Sequence, residues 1–356
     1  MYSPEQDGRL LQYSAALCEA VAQEMTCDER VFLFGLDVDD HKGIQGSTVG
    51  LAETFGSERV FGTPLSEDAM TGVAIGAAMA GMRPIHVHIR MDFLMLCMNQ
   101  LINMAAKTHY MYAGQLKAPM VVRSMIGKSW GQGAQHSQGL HSMFMHVPGL
   151  KVVAPSNAHD AKGCMISAIR DDNPVIFVEH RLLYNTEAYV PEDLYTVPFG
   201  QARICQPGED ITLVGVSNMV MECLRAAELL AEVGISAEVI DPISLVPLDI
   251  DSIAESARRT GRLLVVDNAW TMCGASAEIV AAVAERQQPG ESIQVSRMGF
   301  APTTCPTTPT LEHAFYPNPM TISSKIHEMI RPDKPAWAPD AAQAKLAYQM
   351  QFRGPF

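Results

Sequence analysis

Residues 62–90 read GTPLSEDAMTGVAIGAAMAGMRPIHVHIR, and the fold can be worked out from this stretch. The run from Ala69 to Met82 is uncharged and rich in glycine and alanine, which predicts a helix over 69–81 that packs very closely against its neighbours. Pro84–Ile89 follows at once and is typical of a buried strand. A helix that leads directly into a buried strand indicates parallel strands joined by crossover helices, and therefore an α/β fold.

The same alternation extends on both sides of this stretch. Before it, Val31–Gly35 is a short apolar run that predicts a buried parallel strand. After it, the first unit continues with helix 92–112, strand 119–126, strand 150–154, helix 158–170 and strand Pro174–Glu179. A second unit repeats the pattern with strand 211–216, helix 219–233, strand 235–240, helix 250–260, strand 262–267 and helix 275–286. The sequence therefore predicts two doubly wound α/β domains.

Breaks in the alternation mark the predicted domain boundaries. Residues 186–208 contain several prolines and glycines and show no helical period, which is typical of a linker. The first domain is therefore expected over 1–185 and the second over 209–331. Residues 332–356 are polar and contain prolines, so we expect an arm or a disordered tail there.

Composition and charge exclude several classes of partner. The formal net charge of -13 argues against nucleic acid, because phosphate backbones are bound by Lys and Arg. The longest apolar run is shorter than the roughly 20 residues of a membrane span, so no membrane partner is expected. The N-terminus MYSPEQDGRL lacks the basic n-region and the apolar h-region of a secretory signal. The eight cysteines are scattered along the chain without a CxxC pair. Reduced thiols and a cytoplasmic location are therefore expected.

Three residues are candidates for chemistry. Glu67 stands at the start of the predicted helix 69–81, where an acid also serves as an ordinary N-terminal cap. His136 lies in GQGAQHSQ at 131–138, a glycine-bearing loop of the kind that often carries function, although a solvated loop histidine is the alternative. Phe93 is either a stacking surface for a ligand or an ordinary core residue of its helix.

Several uncommon motifs follow one another along the chain. They are TPLSE (63–67), GMRPI (81–85), GAQHSQ (133–138), HVPGLKVVAPS (146–156), AIRDDNPV (168–175), GISAEVIDPISLVPLD (234–249) and TGRLLVVDNA (260–269). Because these motifs occur in a characteristic order and spacing, the chain resembles the β subunit of the E1 component of 2-oxo acid dehydrogenase complexes. This is a transketolase-like family of the pyruvate dehydrogenase type. The resemblance implies a pyrimidine-binding domain followed by a transketolase C-terminal domain.

The resemblance also implies a thiamine diphosphate site with particular residues in it. Glu67 matches the glutamate that touches the pyrimidine ring and promotes loss of the thiazolium C2 proton, with Asp68 as its nearest rival. Leu65, Ile89 and Phe93 match positions that line the cofactor pocket.

Two histidines also match positions of the family. His136 matches the histidine that meets the substrate carboxylate or the acyl intermediate, and imidazole suits both anion binding and proton delivery near neutral pH. His146 matches a second family histidine, with a weaker case for a catalytic role.

In some relatives, backbone carbonyls at one turn hold a structural potassium ion. The matching carbonyls here belong to Met120, Ala168, Ile169, Asp171 and Asn173. Carbonyls at a helix C-terminus lack partners within the helix and carry partial negative charge. A potassium site at this turn is therefore a hypothesis.

One family motif is missing from the chain. Thiamine diphosphate enzymes hold Mg²⁺ and the diphosphate with a GDG motif followed by NN, and this sequence has no such pair. The resemblance therefore implies an α subunit that carries GDG…NN and binds Mg²⁺, with the cofactor shared between the chains in an α2β2 assembly. It further implies a 2-oxo acid substrate and a lipoyl E2 protein that accepts the acyl group.

Two other functions stay open from the sequence. One is a transketolase-like α/β enzyme that transfers a two-carbon or acyl unit to an acceptor other than lipoamide. The other is a scaffold subunit without activity, against which Glu67, Phe93 and His136 argue together.

The chain departs from the family pattern in two places. Leu36 stands where many relatives carry an acid, and HVHIR at 86–90 places two histidines on one strand face. A metal site in this histidine-rich region is conceivable, but the spacing matches no standard zinc site, and ordinary hydrogen-bonded or exposed histidines are the alternative.

Overall fold

A computed structural model of the chain describes residues 9–128, 131–340 and 342. Most of the predicted tail, residue 341 with 343–356, lies outside the described residues. The near end of that tail packs on the second domain, because the Trp337 ring lies 5.3 Å from the ring of His327. No helix within the described ranges has both the length and the apolar character needed to cross a bilayer.

The described strands form three sheets. In chain order they are β1 (Leu10–Gln12), β2 (Val31–Gly35), β3 (Val60–Gly62), β4 (Arg83–His88), β5 (Val121–Ile126), β6 (Lys151–Val153), β7 (Val175–His180), β8 (Glu187–Tyr189), β9 (Arg203–Gln206), β10 (Ile211–Gly215), β11 (Ala237–Asp241), β12 (Ser244–Val246), β13 (Arg262–Trp270) and β14 (Gln294–Phe300).

Helices connect most of these strands. In chain order they are Tyr13–Cys27, Gly43–Gly46, Leu51–Phe55, Glu67–Met79, Met91–Leu94, Ala106–Met111, His141–Met145, Ala158–Arg170, Met219–Ala231, Ile250–Thr260, Ala275–Glu285, Pro309–Phe315 and Pro319–Ile330. The predicted helix 92–112 is not one regular α-helix, because a 3₁₀ turn (Met95–Cys97) and a π-helical stretch (Asn99–Ala105) interrupt it.

The first domain is built on a seven-stranded sheet in the order β12-β6-β7-β5-β4-β2-β3. All of its pairs are parallel except β12 with β6. Successive residues of β2 point to opposite faces, so that Val31 and Leu33 enter one core and Phe32 and Phe34 the other. Helices therefore cover both faces of this sheet, as a doubly wound fold requires.

The second domain repeats this arrangement around a five-stranded sheet in the order β14-β13-β10-β11-β9. Leu264 and Val266 of β13 belong to the core on one face, and Leu263 and Val265 belong to the core on the other. The predicted α/β class with two doubly wound domains is confirmed.

The predicted linker, 186–208, contains two strands. β8 pairs with β1 beside the first sheet, and β9 forms an antiparallel edge of the second sheet. Its prolines and glycines suggested an irregular connection, but backbone pairing with distant strands decided its structure. Pro198 and Gly200 lie between the two strands, where the chain is irregular.

The two domains share a continuous interface. β12 belongs by sequence to the second domain, yet it pairs with β6 at the edge of the first sheet. Nearby, Nε2 of His141 lies 2.9 Å from Oδ1 of Asp267, and both side chains are fully buried. The interface therefore fixes the orientation of one domain on the other.

A buried ion pair lies inside the first domain. Arg123 of β5 donates to both carboxylate oxygens of Glu179 on β7, at 2.7 and 2.9 Å, and neither side chain has solvent exposure. Tyr184 also donates to Glu179, and Arg123 donates to Ser47. These hydrogen bonds offset the cost of removing the two charges from water. They also connect the loop around Ser47 to the sheet.

Glu179→Gln should lower the free energy of unfolding by about 3–5 kcal/mol, because it leaves the buried Arg123 charge without its counterion. Urea unfolding of the purified chain measures this loss. The matched control is Glu328→Gln, which breaks an exposed pair with Lys325 and should cost under about 1 kcal/mol. Equal losses in the two variants would contradict a structural role for the buried pair.

Candidate active site

The segments that follow three strands meet at one edge of the first sheet. β2 pairs in parallel with both β3 and β4, so the carboxyl ends of the three strands lie side by side. The chain leaves β2 toward β3 and leaves β4 toward β5, in opposite directions across the sheet. In open α/β sheets such a reversal leaves a crevice beyond the strand ends, and ligands bind there.

A cleft of about 370 Å³ occupies this crevice. Its walls are mostly apolar, with a few polar side chains, which is the general character of a small-molecule site. The lining residues are Leu36, Thr63, Pro64, Leu65, Glu67, Met70, His86, Val87, His88, Ile89, Arg90, Phe93 and Leu96. The four residues predicted to bind the cofactor, Leu65, Glu67, Ile89 and Phe93, are all among them.

Glu67 is the first residue of the helix Glu67–Met79 and lines the cleft. The helix N-terminus carries partial positive charge, which favours a carboxylate at this position. Ser66 makes no side-chain capping bond, and no hydrogen bond of the Glu67 carboxylate occurs within the described residues. The rival Asp68 is exposed and does not line the cleft. Glu67 is therefore the acid that the structure leaves available to a ligand.

The helix Glu67–Met79 is packed closely on one side only. Ala74 and Ala78 are buried, whereas a β-carbon added at Gly72 or Gly76 would meet no atom of another element within 4 Å. The predicted close packing is therefore found on the side of Ala74 and Ala78, whereas the face of Gly72 and Gly76 is open in the isolated chain. The small residues leave a smooth, open helix face beside the cleft.

The rim of the cleft is apolar and exposed. Leu65 is 77% exposed, Leu96 is 59% exposed and Val73 is 52% exposed. Leu65 and Leu96 line the cleft, and Val73 lies on the helix Glu67–Met79, so water covers these apolar side chains in the isolated chain.

Phe93 and His136 meet beside the cleft. Their ring centroids lie 5.3 Å apart and the ring planes are nearly perpendicular, at 89°. The histidine loop thus reaches the ring that lines the pocket, although His136 itself is not among the lining residues. His146 lies on the exposed surface and lines two other clefts, away from Glu67.

Arg181 holds the histidine loop in place. It follows β7 and donates to the carbonyl oxygens of His136, at 2.9 Å, and Gly127, at 2.5 Å. Gly127 has φ +86°, and a β-carbon there would lie 2.0 Å from Nε2 of His180. Glycine is therefore required where β5 ends and the chain turns into this loop.

Burial, together with neighbouring charges, keeps the His136 imidazole neutral. Burial lowers the pKa of His136, and the nearby Arg90 and Arg181 lower it further, against the opposing effect of Asp92. At neutral pH the ring therefore has one donor and one acceptor nitrogen.

His86 and His88 form a buried pair along one wall of the cleft. Their ring centroids lie 4.2 Å apart, and His86 stacks on Phe34 at 4.5 Å. Nδ1 of His86 lies 3.4 Å from the Phe34 carbonyl oxygen, which can only accept, so Nδ1 carries the proton. Nε2 is then an acceptor, and it has no partner within the described ranges.

Burial sets the charge state of this pair. It lowers the pKa of His86 to about 4 and lowers that of His88 well below its usual value. Both imidazoles are therefore neutral at pH 7. Within the described residues, no group of three His, Cys, Asp or Glu side chains has the geometry to hold a metal ion.

Arg90 and Asp92 were not singled out by the sequence motifs. Arg90 lines the cleft immediately after β4, and Asp92 receives hydrogen bonds from the backbone and side chain of Gln138 in the histidine loop. The sequence contains one signal for a functional role of Arg90 and Asp92. They directly follow a central strand, in a segment that departs from the family pattern. The fold brings both beside His136.

The predicted potassium turn is occupied by protein donors. Arg83 donates to the carbonyl oxygens of Ile169, at 2.8 Å, and Asp171, at 3.0 Å. The Met120 and Ala168 carbonyls accept from the backbone N–H groups of residues 175 and 171. Four of the five predicted carbonyls therefore already accept a protein hydrogen bond, and the potassium site stays a prediction.

Two family descriptions match the chain. They are "Transketolase, pyrimidine binding domain" over residues 10–187 and "Transketolase, C-terminal domain" over residues 200–322. The acetoin:2,6-dichlorophenolindophenol oxidoreductase subunit beta of Cupriavidus necator is 42% identical over 336 residues, covering 92% of this chain and 99% of that protein. The pyruvate dehydrogenase E1 component subunit beta of Rickettsia felis is 45% identical over 268 residues, covering 75% and 82%.

This chain belongs to the E1 β-subunit family. The predicted family is thereby confirmed, and the E1 β chain is one component of an αβ enzyme complex. Among solved structures, a split gene transketolase described as an inactive β4 tetramer matches with a TM-score of 0.76. The match has 20% sequence identity and covers 91% of this chain and 100% of that chain, which shows a shared fold.

His86→Phe should reduce the acid sensitivity of the fold. Because the pKa of His86 is about 4 in the folded chain and about 6.5 when unfolded, only the unfolded state takes up this proton between those values. Stability from this group is complete above pH 6.5 and is lost as pH falls to about 4, on the order of 3 kcal/mol. Urea unfolding at several pH values measures the slope.

His146→Phe is the matched control, since it removes an exposed imidazole. It should leave the dependence of unfolding free energy on pH as in the wild type. A His86→Phe slope equal to that of the wild type between pH 6.5 and 4 would contradict a buried neutral His86.

Proposed function

We propose that this E1 β chain acts with an α subunit in an enzyme that decarboxylates a 2-oxo acid and transfers the acyl group to lipoamide of an E2 protein. The cofactor is thiamine diphosphate, and Glu67 is the residue that activates it. The observation that carries the proposal is the position of Glu67 in the lining of a mostly apolar cleft, with no hydrogen bond of its carboxylate within the described residues.

The residues of the cleft fit the pyrimidine end of this cofactor. Leu65, Ile89 and Phe93 offer apolar surface to a flat ring, and Glu67 offers an oxygen to a ring nitrogen. Thiamine diphosphate supplies the nucleophilic carbon and the electron sink for decarboxylation when it is bound. Glu67 holds and shares the proton at the pyrimidine nitrogen, which is general acid–base work.

His136 serves the substrate end of the site in this proposal. A neutral imidazole on a loop held by Arg181 accepts or donates a proton without moving far. His86 contributes a second neutral acceptor nitrogen in the cleft lining, which also contains Leu36 in place of the acid of many relatives.

The α subunit completes the site. We propose that it supplies Mg²⁺ and the diphosphate ligands through GDG…NN in an α2β2 assembly. The exposed Leu65 and Leu96 in the cleft lining, with Val73 exposed on the helix Glu67–Met79, support an interface here, because burying them excludes water from the reacting groups. The eight cysteines are all unpaired thiols, which supports a cytoplasmic location for the complex.

A second candidate function differs in substrate and acceptor. One relative is named for acetoin and 2,6-dichlorophenolindophenol, and the other for pyruvate. A transketolase-like transfer of a two-carbon or acyl unit to a non-lipoyl acceptor therefore remains the alternative.

Glu67→Gln in the co-expressed αβ complex should lower kcat by about 10²–10⁴-fold, because the amide cannot share a proton with the pyrimidine ring. Exchange of the cofactor C2 proton in deuterated water, followed by NMR, should slow in parallel. Asp68→Asn is the matched control and should retain activity, since Asp68 is exposed outside the cleft. Normal proton exchange in Glu67→Gln would overturn the assignment.

The wild-type αβ complex should release CO2 from at least one 2-oxo acid and acylate an added lipoyl domain. A panel of 2-oxo acids, assayed with and without that domain, measures both steps. Decarboxylation without acylation, together with transfer to an aldehyde or sugar acceptor, would favour the transketolase-like alternative. A flat response to every 2-oxo acid would exclude the dehydrogenase function.

A further inference from the structure

The guanidinium of Arg90 is unpaired in a half-buried position. The residue lines the cleft that contains Glu67, yet no hydrogen bond or ion pair of its side chain occurs within the described ranges. Its Nε atom is fully buried and lacks an acceptor. Burial lowers the pKa of Arg90, and the group nevertheless stays charged at any physiological pH. A buried charge without a partner is costly, and such groups are typical of ligand sites.

The surroundings of Arg90 increase the demand for an anion. Arg181 also approaches His136, and its Nη2 atom is buried without a partner. The nearby carboxylate is that of Asp92, whose Oδ1 atom is already bound to Gln138 and whose Oδ2 atom has no partner. Asp92 forms no ion pair with either guanidinium in the described part of the chain. Arg90 and Arg181 thus share one nearby carboxylate, that of Asp92, and neither guanidinium is in direct contact with it.

We propose that Arg90 is a specificity-determining residue that binds the carboxylate of the substrate. Within the proposed function, on which this proposal rests, Arg90 makes the site prefer anionic 2-oxo acids to uncharged acyloins such as acetoin. A guanidinium presents its N–H donors in a planar fork that matches a carboxylate. His136 is neutral and cannot supply that charge. The positive charge for substrate binding therefore comes from Arg90, and His136 is left to handle protons.

The same geometry disfavours a neutral substrate. An acyloin offers hydroxyl and carbonyl oxygens, which compensate a desolvated guanidinium less well than a carboxylate does. Hydrogen bonds to a charged partner contribute enough to change affinity by about 10–100-fold. The cleft should therefore discriminate between pyruvate and acetoin by about this factor.

Steady-state kinetics of the αβ complex test the proposal with Arg90→Gln and Arg90→Lys. In Arg90→Gln, KM for the preferred 2-oxo acid should rise about 10–100-fold with a small change in kcat, whereas KM for acetoin should not rise. Arg90→Lys should recover part of the loss, because it restores charge without the fork. Arg30→Gln is the matched control, since Arg30 is exposed at the opposite ends of the strands.

Binding measurements keep this test separate from that of the proposed function. Calorimetry needs no turnover. It compares oxamate, a carboxylate that mimics pyruvate, with 2-oxopropanamide, the uncharged amide of pyruvate. Wild type should prefer oxamate, and Arg90→Gln should lose that preference. If wild type decarboxylates no 2-oxo acid but keeps this preference, the proposed reaction fails and the anion site stands.

Three results would overturn the proposal. Unchanged KM and unchanged oxamate binding in a folded Arg90→Gln complex would show that Arg90 does not meet the substrate. A raised KM for thiamine diphosphate alone would assign the guanidinium to the cofactor phosphates. Weaker association of the subunits in sedimentation, without a change in oxamate binding by the assembled complex, would assign Arg90 to an acid of the α subunit.

Discussion

The parallel pairing of β2 with β3 and β4 is the constraint on which the candidate site depends. Because three parallel strands end at one edge, the residues that follow them are brought together although they are distant in sequence. Leu36, Glu67 and Phe93 reach the same cleft in this way. The buried pair of Arg123 and Glu179 supports the same sheet from within, since it joins β5 to β7. Stability and function thus share one framework.

The cleft combines apolar walls with an unusual set of nitrogen-bearing side chains. His86 and His88 are held neutral by burial, and His136 is held neutral by burial together with neighbouring arginines. Arg90 alone brings a fixed, unpaired positive charge into the cleft lining. The proposed function and the proposed role of Arg90 therefore assign proton transfer and anion binding to different groups. A neutral imidazole can exchange protons near pH 7, and a guanidinium cannot.

Exposed apolar side chains surround the cleft of this chain. The apolar Leu65 side chain is exposed to water, and the open face of Gly72 and Gly76 leaves space for close contact with a second chain. The second domain is fixed to the first by β12 and by the buried contact of His141 with Asp267. Both domains therefore present a defined surface to a partner.

The sequence by itself determined the α/β class, most strands and helices, the family and the cofactor-site candidates, because periodicity and motif order are local properties of the chain. It located Glu67, Leu65, Ile89 and Phe93, which the fold brings into one cleft. Only the tertiary structure decided that 186–208 supplies two strands, that Arg83 occupies the predicted potassium turn, and that Arg90 stands unpaired beside His136. Those features arise from contacts between residues far apart in sequence, where burial and charge depend on neighbours that no local pattern records.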